Sequence, residues 1–355
     1  MRIVRRLLGL HERLSIVDVV LALLRVAVVV FVIAGVTATL LKGTFTLQAW
    51  ESLAVSGLAL GAIYALIALG YTLVYGILFM INFAHGEVFM SGAFTAFYVA
   101  QALFRSGFLA SNPILAFVIV LLVAMLVSAS VAVVLERVAY RPLRNAPRLV
   151  PLITAIGASL FLQNTFRGLY GAGVKAYPSW PMFQGSISLF GIPVRVTQVV
   201  VFVAAILLMF GLYWFVERTR TGRAMRAVSE NKDVAAMMGI NVDRVIVTTF
   251  AIGGILAGAA GILYTLLFNQ VLFSMGFVPG IKAFTAAVLG GIGNIVGAML
   301  GGLVLGVLES IGPYLLLDGF NIPTPNQLTT VVAFLVLVLV LIFRPTGILG
   351  RKDNT

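Results

Sequence analysis

The stretch Phe79-Met80-Ile81-Asn82-Phe83-Ala84-His85-Gly86-Glu87-Val88-Phe89-Met90 decides how the chain is read. It lies between two long apolar runs, residues 53–78 and 88–104, with no polar padding on either side. Asn82, His85 and Glu87 therefore fall at or inside a membrane boundary. An ionisable side chain near the centre of a bilayer costs about 2.5–3.5 kcal/mol on insertion scales, so such groups turn towards a cavity or a partner helix. That makes the cluster a candidate functional site. A plainer reading stands beside it: Asn82 caps a helix starting near Gly86, Glu87 in its first turn suits the positive end of the helix dipole, and His85 hydrogen-bonds a carbonyl.

Of the 355 residues, 61% are apolar and 10% charged, against about 25% charged in ordinary soluble domains. The apolar runs continue unbroken for about 20 residues and do not alternate with period two, which favours helices over a barrel. The fold expected is an all-α polytopic transmembrane helical bundle in a single transmembrane domain over residues 1–355. The chain has no cysteine, which excludes disulfides and thiolate metal sites, and its two histidines, His11 and His85, lie too far apart in sequence to suggest a structural metal. The net charge of +12 does not point to nucleic acid. Residues 1–17, 136–150, 218–244 and 344–355 hold 17 of the 24 Lys and Arg residues. This bias places those segments, and both termini, on the cytoplasmic side.

Residues 1–17 form a basic cytoplasmic lead-in. The apolar run 16–41 is too long for the core of a cleaved signal peptide and reads as an uncleaved first span. Its Arg25 is expected to snorkel or to pair with a neighbouring helix. Further spans are expected over 53–78, 88–104, 114–135, 152–170, 196–216, 245–268, 295–317 and 327–343. Between 245–268 and 295–317 lies a half-helix, Lys282 to Gly291, that breaks at Gly290-Gly291-Ile292-Gly293-Asn294. The count is about ten crossings, two of them short or broken. Non-helical backbone at membrane depth is tolerated where protein buries it or it lines water, and transporters tend to build pathways there. Gly57 and Gly61 form a small-xxx-small pair that permits close helix approach, and Gln163 and Asn164 are expected to bond between helices.

Two connections are informative. Residues 171–195 form a long outer connection with interfacial Tyr177 and Trp180 and a short hairpin over 186–194. On the other side, 218–244 is the most charged part of the chain. Ser229, Asp233 and the run Ala235-Ala236-Met237-Met238 suggest a short capped helix stopped by Gly239. Two readings stand: the helix docks Met237 and Met238 into a partner's groove, or the segment is a solvated loop with one helical turn.

No P-loop, H-E-x-x-H or G-x-S-x-G pattern occurs. His85 and Glu87 lack a nucleophile and an orienting third group. A non-enzyme is expected, without a cofactor or metal of its own, so active transport would draw on a partner or an ion gradient.

The runs Gly61-Ala62-Ile63-Tyr64-Ala65-Leu66-Ile67-Ala68-Leu69-Gly70-Tyr71-Thr72-Leu73-Val74-Tyr75-Gly76, Ile81-Asn82-Phe83-Ala84-His85-Gly86-Glu87 and Lys282-Ala283-Phe284-Thr285-Ala286-Ala287-Val288-Leu289-Gly290-Gly291-Ile292-Gly293 resemble the LivH-type permease subunit of branched-chain amino-acid ABC importers. Glu136-Arg137-Val138-Ala139-Tyr140-Arg141-Pro142 and Arg344-Pro345-Thr346-Gly347-Ile348-Leu349-Gly350 fit the same pattern. The resemblance implies a multi-pass half-pore in a bacterial inner membrane, paired with a second homologous permease. A periplasmic substrate-binding protein would deliver leucine, isoleucine or valine, and two cytoplasmic ATPase subunits would use the ATP. It also implies that Glu230, Asp233, Ala235, Ala236, Met238 and Gly239 belong to the segment that docks on the ATPase. On this reading the pathway candidates are Asn82, His85, Glu87, Gly290, Gly291, Gly293 and Asn294. The same architecture also handles urea, short amides and other amino acids. From other classes, a proton-coupled secondary transporter using His85 and Glu87 and a non-transporting scaffold stay open.

Overall fold

The computed structural model describes residues 16–144, 146–147, 149–189, 191–322, 328–344 and 346–350. Residues 1–15 of the basic lead-in and the terminal residues 351–355 lie outside the described residues. The helices are α1 (Ile16–Lys42), α2 (Leu47–Leu78), α3 (His85–Arg105), α4 (Pro113–Leu135), α5 (Leu149–Tyr170), α6 (Val196–Arg218), α7 (Arg220–Glu230), α8 (Lys232–Met237), α9 (Val242–Phe268), α10 (Phe277–Gly290), α11 (Ile295–Leu317) and α12 (Thr329–Phe343). Among the described residues, eight helices are long and apolar enough to cross a membrane, and α10 and α12 are shorter apolar companions. The bundle expected from composition is the fold observed.

The axis of the bundle is α2. Its 32 residues run about 48 Å at 1.5 Å per residue, well beyond a hydrocarbon core of about 30 Å. Thr46 starts it by accepting from the Ala49 N–H at 3.3 Å, so the helix takes in six residues ahead of the apolar run. Every residue from Gly61 to Val74 is buried. The Gly57–Gly61 pair meets a matching pair on α11. A Cβ added at Gly57 would lie 2.8 Å from the Val307 Cα, and one at Gly61 would lie 2.8 Å from the Gly302 carbonyl oxygen. The two backbones therefore touch, and dispersion across this crossing replaces the hydrophobic drive that lipid does not supply. Between α4 and α3, the Ser128 hydroxyl donates to the Val88 carbonyl at 2.7 Å.

Charge sorts the ends of the bundle. At one end Arg141 donates to Asp243 at 2.6 Å, Arg144 bridges Asp243 and Glu136, Arg226 pairs with Glu217, and the Lys232 ammonium lies 5.9 Å from the Phe79 ring centroid. The described parts of the basic segments 136–150 and 218–244 share this end, as expected. Residues 346–350 pack there too: the Ile348 N–H donates to the Leu289 carbonyl at 2.8 Å and the Leu349 N–H to the Gly290 carbonyl at 3.0 Å. These bonds satisfy carbonyls that the end of α10 leaves open. At the far end Lys42 meets Asp318 at 3.3 Å, and the Thr44 hydroxyl donates to the same carboxylate at 2.7 Å.

The far-end connection forms the expected hairpin, β2 (Ser186–Leu189) with β3 (Ile192–Arg195); β1 (Lys175–Ala176) pairs instead with β4 (Gln270–Val271), after α9. Several expectations change. The half-helix starts at Phe277 rather than Lys282, because Pro279 falls in the first turn, where its missing N–H has no intrahelical acceptor. Asn164 bonds the Leu160 carbonyl of its own helix at 2.8 Å and does not reach a neighbour, since it faces outward. Arg25 finds its partner on α12, with its guanidinium 5.2 Å from the Phe343 ring centroid.

Candidate functional site

The Asn82–His85–Glu87 cluster is closed on every side. Its helix, α3, begins at His85 behind Ala84, which makes no side-chain cap. Asn82 therefore does not cap it. The π-turn Glu136–Tyr140 after α4 aims the Tyr140 hydroxyl at Asn82, and it donates to Oδ1 at 2.6 Å. His85 is 2% exposed, packs edge-on against Tyr71 at 5.0 Å, and fills the space a side chain at Gly70 would need. Its Nε2 has no hydrogen-bond partner among the described residues.

Glu87 is fully buried. Ser159 reaches its Oε1 only at 3.5 Å, and Oε2 is unpartnered. A Cβ added at Gly276 would lie 2.9 Å from that Oε2, and one at Gly280 3.0 Å from the Gly86 Cα. Glu87 thus stands where the N-termini of α3 and α10 meet. Each terminus carries about half a positive charge, so one carboxylate faces two dipoles.

The break between α10 and α11 lies at the basic end, one α2 segment away from that cluster. His85 sits beside Gly70, whereas Gly293 approaches Gly76; six residues along a helix is about 9 Å. Gly290 closes α10, and Gly291 and Gly293 take φ of 104° and 92°, values L side chains rarely adopt. Asn294 caps α11 by accepting from the Gly297 N–H at 3.0 Å and donates to the Leu349 carbonyl at 2.9 Å. Gly293 and Asn294 also line a cavity of about 410 Å³ with Tyr75, Phe79, Glu217, Arg226 and Glu230. Asn82, His85 and Glu87 do not line it.

Next to this cavity, α7 and α8 form a short helical pair. The cap of α8 is Asn231, not Ser229: its Oδ1 accepts from the Asp233 and Val234 N–H groups, both at 3.0 Å. Ser229 remains inside α7 and bonds the Arg226 carbonyl at 2.7 Å. Gly239, at φ 82°, ends the pair as expected. Ala235 anchors α8 in the core, while Asp233, Ala236 and Gly239 are exposed and Met237 and Met238 are each 78% exposed. Burial pushes the Lys232 ammonium below its ordinary pKa; the Arg144 charge adds to this and Asp233 opposes it.

A second cavity, of about 360 Å³, opens at the far end between α2, α6, α9, α11 and α12. Leu53, Leu60, Leu267 and Phe268 supply apolar wall, and Arg195, Gln198 and Glu309 supply polar groups. Glu309 accepts from the Lys282 ammonium at 2.5 Å, with both side chains more than nine-tenths buried. Sequence reasoning missed this pair. Its signal was a lone lysine and a lone glutamate in neighbouring apolar segments, which the membrane tolerates only together. The two cavities share α2, α6 and α11. Leu60 and Tyr75 mark their facing edges, fifteen residues and so about 22 Å apart along α2.

A bundle with a broken helix, a buried ion pair and a cavity at each end of one helical seam defines a multi-pass membrane permease. The chain belongs to the family of branched-chain amino acid transport system permease components, whose pattern matches residues 53–341. It is 47% identical over 302 residues to the high-affinity branched-chain amino acid transport system permease protein BraD of Pseudomonas aeruginosa, covering 84% of this chain and 95% of that one. The corresponding LivH protein of Escherichia coli K12 is 43% identical over 303 residues, covering 84% and 94%. A probable LivH of Methanocaldococcus jannaschii is 30% identical over 292 residues, covering 80% and 88%. No solved structure gives a significant match.

Proposed function

We propose that this chain is the membrane-spanning subunit of an ATP-driven importer that moves leucine, isoleucine or valine across a bacterial inner membrane. The observation that carries the reading is the seam of α2, α6 and α11, with one cavity at the basic end, another at the far end, and buried α2 residues between them. Such a seam suits alternating access, in which one half rocks against the other around a closed centre. The positive-inside rule assigns the basic end to the cytoplasm. The far end then meets a periplasmic binding protein, and a second homologous permease completes the pore.

One of two ATPase subunits would dock at the basic end on α7 and α8, where Met237 and Met238 stand out from a frame fixed by Ala235 and Asn231. ATP belongs to those partners. Gly290 and Gly291 hold the α10 terminus against residues 346–350, and Gly293 and Asn294 border the path. Asn82, His85 and Glu87 fix the junction of α3, α4 and α10.

The test is uptake in liposomes holding the chain with its second permease, ATPases and binding protein. Leucine uptake that requires ATP is expected. Uptake that persists without ATP and collapses with a protonophore would instead make the chain a secondary transporter. Changing Met238 to Glu, a surface change worth under about 0.5 kcal/mol in stability, is expected to lower ATP-coupled uptake at least tenfold. Unchanged uptake in that variant would move the docking surface elsewhere.

A further inference from the structure

We propose that the far-end cavity is itself a binding site for a zwitterionic α-amino acid with an aliphatic side chain. Glu309 Oε2 would accept from the ammonium group, and Arg195 would donate to the carboxylate. The inference rests on the amino-acid reading above and adds a place in this chain where the cargo is held after release.

Four observations carry it. Glu309 is 5% exposed, and while its Oε1 is occupied by Lys282, its Oε2 is buried without a hydrogen-bond partner. A buried carboxylate oxygen left unpaired is costly unless a donor arrives, and Glu309 lines the cavity. Arg195, on the same cavity, is exposed and makes no ion pair among the described residues. A fork of N–H donors suits a carboxylate. Two of the other polar wall groups are already engaged: the Gln198 amide donates to the Ser56 hydroxyl at 2.9 Å, and the Ser310 hydroxyl donates to the Leu53 carbonyl at 2.7 Å. Finally, Leu53, Leu60, Leu267 and Phe268 leave an apolar side for a hydrocarbon chain, and about 360 Å³ lies within the range of small-molecule pockets.

One group of each sign explains why a zwitterion fits better than its halves. A simple amine would leave Arg195 without a partner, and a simple acid would leave Glu309 Oε2 unsatisfied. Lys282 engages only one of the two Glu309 oxygens.

The probe is a leucine analogue carrying a diazirine in its side chain, illuminated with the assembled transporter in liposomes and mapped by mass spectrometry. Adducts are expected on the peptides containing Leu53 to Leu60 and Leu267 to Phe268. Excess leucine should suppress them at least tenfold, and isoamylamine and 4-methylpentanoate, each lacking one charged end, should not. Arg195→Gln, at an exposed position, should reduce the adducts at least tenfold, and Leu60→Trp should do so by filling the cavity. Glu309→Gln is the third variant, read only if it purifies folded. If the analogue is taken up but its adducts map elsewhere, or if the amine or acid competes as well as leucine, the site is overturned. If the wild-type assembly takes up no leucine, the amino-acid reading fails first and the site falls with it.

Discussion

Three glutamates are buried among the described residues; Glu136 meets Arg144 at the basic end, and the other two, Glu87 and Glu309, differ in their surroundings. Glu87 is sealed between two helix N-termini whose backbones touch at Gly86, Gly276 and Gly280. Glu309 lies under a cavity, with a lysine on one oxygen, the buried Tyr64 ring nearby, and no hydrogen bond formed by the other oxygen among the described residues. Both satisfy the rule that ionisable groups in a membrane face a partner, yet only one faces open space. Burial marks a residue as needing a reason; access decides whether the reason is structural or functional. Glu87 answers to helix dipoles and Glu309 to a lysine and a cavity.

The largest expected effect separates them by stability. Glu309→Ala strands the Lys282 charge, and breaking a buried pair in this way costs about 3–5 kcal/mol. A double change to Lys282→Met with Glu309→Met should recover most of that, since apolar replacement of a buried pair is often neutral or better. Thermal unfolding in detergent, followed by size-exclusion chromatography, reads both. A single variant as stable as the wild type would show that the pair holds nothing.

The next effect is smaller. Glu87→Gln keeps the shape and replaces one of the two oxygens facing the helix N-termini with an amide donor, a loss of about 1–2 kcal/mol. Uptake per folded molecule should stay within about threefold of wild type. Lost uptake at unchanged stability would return Asn82, His85 and Glu87 to the transport path. Asn231→Ala should then cost about 1 kcal/mol, confined to the start of α8, where amide exchange at Asp233 and Val234 should quicken. Equal protection in both proteins would mean that packing of Ala235, not the cap, sets the helix.

How much of this was legible follows from the range of each interaction. Hydropathy and lysine–arginine bias place the spans because each depends on neighbours in sequence, and α11 begins and ends where the apolar run does. The Gly57–Gly61 contact was legible as a spacing, but its partner Gly302–Gly306 required the fold. The cap of α8 was misplaced by two residues because Ser229 and Asn231 are both good caps, and packing of Val228 and Ala235 fixes which one is used. Asn82 looked like a cap by position, yet Tyr140, 58 residues away, takes its oxygen. The far-end cavity draws on five helices spread over most of the chain, so no local pattern announces it.

The absence of cysteine makes the central claim directly measurable. Single cysteines at Ser56 in the far-end cavity, Ser229 in the basic-end cavity and Ser159 beside Glu87 can be probed in sealed vesicles of either orientation with a membrane-impermeant maleimide. The account predicts that the first reacts only from the far side, the second only from the basic side, and the third from neither. Labelling of Ser159→Cys, or of the other two from one and the same side, would contradict a seam that opens at both ends of the bundle and leaves the Glu87 cluster closed.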